Sequence, residues 1–258
     1  MFLDDPLISN IIFYPRQTSI PTQVGENIRI LKFQINNEIM IGGYYFINQK
    51  DLPTILLFHG NGELAMEYQY FLPLFFQCGV NLAAVDYRGY GFSTGQPIYS
   101  SLYTDALPIY EHFNTWMHQE GLTGSLFVLG RSLGSSCAAE IGSKNPPGLH
   151  GIIFESGIGS SYQIITDLFQ VNRPEVTLDS LEEWSNDTKA KKFEKPVLII
   201  HGTQDWIVPS KHAKILFDAL PAKIDKQLIY IEGAGHNDIF QYTEEYFTPL
   251  KAFIQKYK

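Results

Sequence analysis

Basic residues are scarce in this chain: 19 Lys and Arg stand against 27 Asp and Glu, for a formal charge of −8. Without a basic run, a polyphosphate would meet net repulsion, which argues against nucleic acid and against an anionic membrane surface as partners. Cysteine is scarcer still. Cys78 and Cys137 are too few for a disulfide framework, and Cys137 falls in an apolar helical stretch where a buried free thiol is expected. A reducing compartment follows. No stretch approaches the roughly eighteen uninterrupted apolar residues that a membrane-spanning helix needs. The opening "MFLDDPLISNIIFYPR" carries acids where a signal peptide would carry positive charge, and Pro6 and Pro15 interrupt its apolar residues. A cytoplasmic location is the expectation, with a peripheral membrane contact through the N-terminal apolar residues left open. H-E-x-x-H, paired C-x-x-C and G-x-x-x-x-G-K-[ST] are all missing, so neither a metal nor an organic cofactor is expected.

What the chain does have is material for a core. Its 258 residues are 45% hydrophobic and 18% charged, enough for one domain spanning residues 1 to 258. "IRILKFQ" (28 to 34) and "IMIGGYYFI" (39 to 47), joined by the tight-turn signal "INNE", read as an antiparallel opening pair. After them come six short, nearly continuous apolar runs: "TILLFHG", "NLAAVDY", "SLFVLG", "GIIFESG", "PVLIIHG" and "QLIYIEGAG". Runs of this kind suit strands buried on both faces, and the helical patterns between them mark crossover connections. The expectation is an α/β fold with a mostly parallel eight-stranded sheet and helices on both faces. One interval breaks the rhythm. About forty residues separate Gly157 from Pro196, far more than one crossover requires, and they include Tyr162, Phe169, Trp184 and Phe193. This segment, about 158 to 195, is either additional helix packing or a small helical cap over the carboxyl ends of the strands, where open α/β sheets bind ligands.

The pattern G-x-S-x-G occurs twice, and context separates the two copies. A serine between glycines on a sharp strand-to-helix turn projects its hydroxyl out of the sheet, with the next backbone N–H aimed at the same point. "GRSLG" at 130 to 134 follows the strand "SLFVL" and precedes the helical "LGSSCAAEIGSK", so Ser132 has the required setting. "GFSTG" at 91 to 95 sits between "DYRGYG" and "TGQP", which is loop punctuation, so Ser93 belongs to a loop in which Asp86 and Arg88 make local polar contacts.

A serine hydroxyl becomes a competent nucleophile only when a base removes its proton, and that base needs a carboxylate to fix its tautomer. Of the seven histidines, His112, His118, His150 and His212 lie in or beside helices and strands, and His59 and His201 end strands just before glycine. His236 alone follows the last strand in a glycine-flanked loop, "IEGAGHND". Asp205, in "PVLIIHGTQDWIVP", lies just past another apolar strand, although a turn aspartate bonded to local backbone fits that position too. The order Ser132, Asp205, His236 is the Ser…Asp…His succession of one hydrolase scaffold. "LLFHGNGE" ends the third strand, where the N–H of Asn61 can face that of Leu133 across an oxyanion.

These motifs resemble those of the α/β-hydrolase family, in particular serine hydrolases carrying "HGNG" after the third strand, "DYRGYGxS" after the fourth and "GRSLGS" at the elbow. The resemblance covers nearly the whole chain. It implies Ser132 as nucleophile, Asp205 as acid, His236 as base, Asn61 and Leu133 as oxyanion donors, and Asp86 and Arg88 as scaffold. A carboxylic ester or thioester, with its acyl group in an apolar pocket, is the expected small-molecule substrate. The aromatic-rich insertion and Trp206 are candidates to line that pocket, or else ordinary core. An amidase or peptidase using the same three residues, and a noncatalytic binding protein on the same scaffold, stay open as alternatives.

Overall fold

A computed structural model describes residues 2–258 of the chain. Eight strands form one sheet: β1 (Ile28–Gln34), β2 (Met40–Phe46), β3 (Thr54–Phe58), β4 (Asn81–Val85), β5 (Leu126–Arg131), β6 (Leu149–Glu155), β7 (Val197–Gly202) and β8 (Lys226–Ile231). Their spatial order is β1-β2-β4-β3-β5-β6-β7-β8. The β1–β2 and β2–β4 pairs are antiparallel and all the others are parallel. The mostly parallel eight-stranded sheet read from the sequence is therefore present.

The helices are α1 (Pro6–Ile12), α2 (Leu72–Gln77), α3 (Ser101–Thr104), α4 (Ala106–Gln119), α5 (Ser135–Lys144), α6 (Ser161–Asp167), α7 (Leu178–Leu181), α8 (Asn186–Ala190), α9 (Lys211–Ala219) and α10 (Thr243–Tyr257). Successive strand side chains point to opposite faces, and this divides the core into two. Leu56, Val128, Ile152 and Ile199 pack on the face that carries α4, α5 and α9. Their strand neighbours Leu57, Leu129, Ile153 and Ile200 pack on the face that carries α10. Because both faces are covered, the strands needed no polar alternation, which is why they appear in the sequence as unbroken apolar runs.

The chain runs from β3 to β4 on one side, then crosses to β5 on the other. The carboxyl ends of β3 and β5 thus flank a point where strand order reverses, the position at which open α/β sheets make a crevice.

Two local features depart from the sequence reading. Helix α1 was not expected, yet the Asp5 carboxylate accepts the Leu7 N–H and Pro6 occupies the first turn, a strong helix start. The last strand stops at Ile231 instead of running to Gly235, because Gly233 turns the backbone with φ +81°. In the segment between β6 and β7, Asn186 at the start of α8 donates to the Ile158 carbonyl and the Ser135 hydroxyl, and Ile164 of α6 borders a cavity described below. Among the described residues, no helix is long and apolar enough to cross a membrane.

Candidate active site

Ser132 is the first residue beyond β5 and takes φ +50°, a left-handed conformation that a non-glycine residue adopts at a cost of about 1–3 kcal/mol. The flanking glycines make this turn possible through space. A Cβ on Gly130 would lie 2.6 Å from the Gly134 carbonyl oxygen, and one on Gly134 would collide with the Phe58 carbonyl at the end of β3. Ser135 Oγ then closes the turn by donating to the Ser132 carbonyl at 2.5 Å, while it accepts the Ile158 N–H at 2.9 Å.

His236 and Asp205 reach the serine from the loops after β8 and β7. His236 Nε2 lies 2.9 Å from Ser132 Oγ, and His236 Nδ1 lies 2.7 Å from Asp205 Oδ2. All three residues are buried. Oδ1 of Asp205 accepts the N–H groups of Ile207 and Val208 at 3.0 and 2.8 Å, so the turn role and the histidine contact use different oxygens. Burial pushes the Asp205 carboxyl up, but hydrogen bonding from His201 and His236 outweighs it and holds Asp205 well below the usual carboxylate range. The carboxylate thus stays ionised beside the imidazole, and the arrangement can carry a proton from hydroxyl to ring nitrogen.

Asn61 and Leu133 border the same cavity as Ser132 and His236. Among the described residues, no turn or loop hydrogen bond engages the Asn61 N–H. Leu133 lies in the first turn of a 3-10 helix, where N–H groups have no partner within the helix. Asn61 is fixed by its side chain, which donates to the Ile12 carbonyl at 2.6 Å and accepts from the Tyr14 N–H and the Tyr90 hydroxyl.

The cavity measures about 310 Å³ and opens to the surface. Beyond the polar end its wall is apolar, with Ile158, Ile164, Leu168, Phe169, Ile207 and Val208. Of the aromatics considered from the sequence, only Phe169 is in this wall. Trp206 is not: it is 86% exposed, because the Asp205 turn buries Val208, sets the partly exposed Ile207 on the cavity wall and leaves Trp206 outside. Phe193 is core, and Trp184 packs against Tyr103.

Other sequence candidates lie elsewhere. Ser93 Oγ accepts the Gly42 N–H and donates to the Asp86 carbonyl, a loop role. Arg88 forms a two-bond pair with Asp105, and Asp86 faces His59 at 3.3 Å. His212 is a buried acceptor for the N–H groups of Gly159 and Ser160. What the sequence reading missed is a polar group behind the serine, in which the buried Arg131 and Glu155 are joined to the half-buried Glu63 and the exposed Asn237. Its only signal was a charged residue closing the apolar run "FVLGR".

A family model described as serine aminopeptidase, S33, matches residues 49–172 and 177–241. Alpha/beta hydrolase domain-containing protein 17C of Xenopus tropicalis is 30% identical over 203 residues, covering 78% of this chain and 61% of that protein. The chain therefore spans less than two thirds of the length of this curated relative. Among solved structures, the Pyrococcus furiosus esterase Pf2001 is similar in fold, with TM-score 0.73 and 15% identity, covering 94% of this chain and 98% of the other. A monoacylglycerol lipase from Paleococcus ferrophilus gives TM-score 0.61 and 19% identity, covering 90% and 99%.

Proposed function

This chain belongs to the serine aminopeptidase S33 family of α/β-hydrolases, and we propose that it is a serine hydrolase cleaving a carboxylic ester or thioester with an apolar acyl group. The observation that carries this reading is the hydrogen-bonded chain Ser132–His236–Asp205, with contacts of 2.9 and 2.7 Å, at the polar end of an apolar cavity.

In the first step Ser132 Oγ attacks the acyl carbonyl carbon while His236 Nε2 takes the hydroxyl proton. The carbonyl electron pair moves onto oxygen, where the Asn61 and Leu133 N–H groups stabilise it; loss of one such donor elsewhere costs about 3 kcal/mol. The intermediate collapses, the acyl–oxygen or acyl–sulfur bond breaks, and His236 returns its proton to the leaving group. Water, deprotonated by the same imidazole, then releases the acid and restores the serine. Asp205 holds Nδ1–H throughout, so that Nε2 faces the serine with its lone pair. Residues 158 to 195 act as a cap on a single domain, with Ile164, Leu168 and Phe169 closing the acyl site.

A peptidase reading has the family's description in its favour. An aminopeptidase, however, must recognise a substrate ammonium, and Glu63 is the one carboxylate in the cavity wall among the described residues. Its oxygens are already engaged by Arg131, Gly60 and Tyr68, which supports an acyl chain over a charged amine. The test is nitrophenyl esters of increasing chain length beside a matched anilide, with fluorophosphonate labelling of wild type and Ser132→Ala. Ester turnover that rises with chain length, and labelling confined to the wild type, are expected. Equal labelling of the two proteins removes the nucleophile, and preference for the anilide moves the assignment to an amidase.

A further inference from the structure

Arg131 lies between Gly130 and the serine, yet its side chain turns inward and is buried. Nε donates to Glu63 Oε1 at 2.7 Å and Nη1 to Glu155 Oε1 at 2.6 Å. Nη2 donates at 3.1 Å both to the His236 carbonyl and to Asn237 Oδ1. The other oxygen of Glu63 accepts the Gly60 N–H at 3.0 Å and the Tyr68 hydroxyl at 2.8 Å. One planar cation therefore ties together the serine turn, the loop from Gly60 to Glu63, the end of β6 and the histidine loop.

Stability alone does not account for this arrangement. Burying a cation against one fully buried and one half-buried carboxylate carries a desolvation cost, and apolar replacements of such groups are often neutral or stabilising. The group does satisfy its own electrostatics: burial pushes Glu63 up, but Arg131 outweighs it and holds Glu63 down at about 2, so both remain ionised. What a guanidinium provides beyond charge is a fixed fork of donors, able to set the relative positions of several acceptors at once. The acceptors here are the backbone or side chains of the loops that carry His236 and Asn61, and the donor is joined directly to Ser132.

We propose that Arg131 and Glu63 are positioning residues that hold the serine, the histidine loop and the oxyanion loop in reactive register, and thereby set the rate of acyl transfer without contributing to substrate affinity. The proposal rests on the reading of Ser132 as nucleophile. Neither side chain touches the reacting atoms in it. Misplacement of reacting groups by about 1 Å can cost on the order of a hundredfold in rate. Glu63 borders the cavity, but its oxygens are taken up by Arg131, Gly60 and Tyr68, and the acyl wall of Ile164, Leu168 and Phe169 belongs to a different segment, so KM has little reason to follow.

The experiment uses the full chain and compares wild type, Arg131→Lys, Glu63→Gln and Ser132→Ala. Steady-state hydrolysis of a nitrophenyl ester, the rate of fluorophosphonate labelling and thermal melting are read for each. Lysine keeps the charge but not the fork. Glutamine can serve either the guanidinium or the Gly60 N–H, but not both as an acceptor. Expected are losses in kcat of about a hundredfold for Arg131→Lys and about tenfold for Glu63→Gln, with parallel losses in labelling rate and KM within about twofold. Folded variants with kcat within threefold of wild type overturn the proposal, as does a loss confined to KM. If Arg131→Lys does not fold, Glu63→Gln decides alone, since it leaves the Arg131–Glu155 pair intact. Labelling of Ser132→Ala equal to that of wild type is a separate outcome: it removes the nucleophile reading, and this proposal with it.

Discussion

Asp205 serves His236 with one oxygen and its own turn with the other: Oδ2 lies 2.7 Å from His236 Nδ1, and Oδ1 accepts the N–H groups of Ile207 and Val208. An asparagine can keep the second duty and must fail the first. With its carbonyl oxygen on the turn, its NH₂ faces Nδ1 and stabilises the imidazole with the proton on Nε2, the tautomer that cannot accept from serine. Asp205→Asn is therefore expected to fold, with a lowered melting temperature because the native state loses a carboxylate stabilised by His201 and His236, and to lose about 10⁴-fold in kcat on a nitrophenyl ester. A variant within tenfold of wild type would show that the carboxylate is not what orients His236.

The second prediction concerns Gly134, whose backbone conformation any residue could adopt, with φ −63°. Only space forbids a side chain there, because a Cβ would collide with the Phe58 carbonyl. Backbone cannot give way as the end of a flexible side chain can. Gly134→Ala is expected to destabilise the protein by about 1–3 kcal/mol and to lower ester turnover, since relief of the clash moves the serine turn away from the Asn61 loop. Urea denaturation and an ester assay on the same preparation check both parts. Unchanged stability would mean that β3 and the start of α5 separate freely.

The third prediction follows from His212. Its Nδ1 accepts from the Gly159 and Ser160 N–H groups at 3.1 and 3.3 Å. Burial, followed by the neighbouring positive charge of Lys211, lowers the folded-state value to about 4. In the unfolded chain the imidazole takes up its proton near pH 6.5. This contribution to stability is therefore fully present above about pH 6.5 and is lost as the pH falls toward 4, by on the order of 3 kcal/mol. His212→Asn keeps an acceptor near the Nδ1 position and removes the titration. Its stability, measured by denaturant unfolding from pH 7 to 4.5, is expected to fall less steeply than that of wild type. Parallel curves would exclude His212 as a source of acid sensitivity.

Much of this molecule is written locally. The strands β3 to β7 are short apolar runs because each is covered on both faces, and a run of that kind needs no tertiary information to be read. The sharp turn at Ser132 has a local signature in two glycines between a strand and a helix, although what requires Gly134 is the Phe58 carbonyl on β3, far away along the chain. Helix α1 has its local signals in Asp5 and Pro6, inside a segment whose acids also argue against a signal peptide. The end of β8 depended on Gly233, whose positive φ is a choice glycine permits without announcing.

The amino-acid order by itself determined which elements form and that Ser132, Asp205 and His236 each follow a strand, because secondary structure and turn chemistry act over a few residues. Only the folded chain decided that His236 lies 2.9 Å from Ser132 and 2.7 Å from Asp205, that Trp206 faces outward while Phe169 lines the cavity, and that Arg131 joins Glu63 to Glu155. Those outcomes depend on strand order and on close packing between residues as much as 104 positions apart, and packing of that kind has no period along the chain from which it could be read.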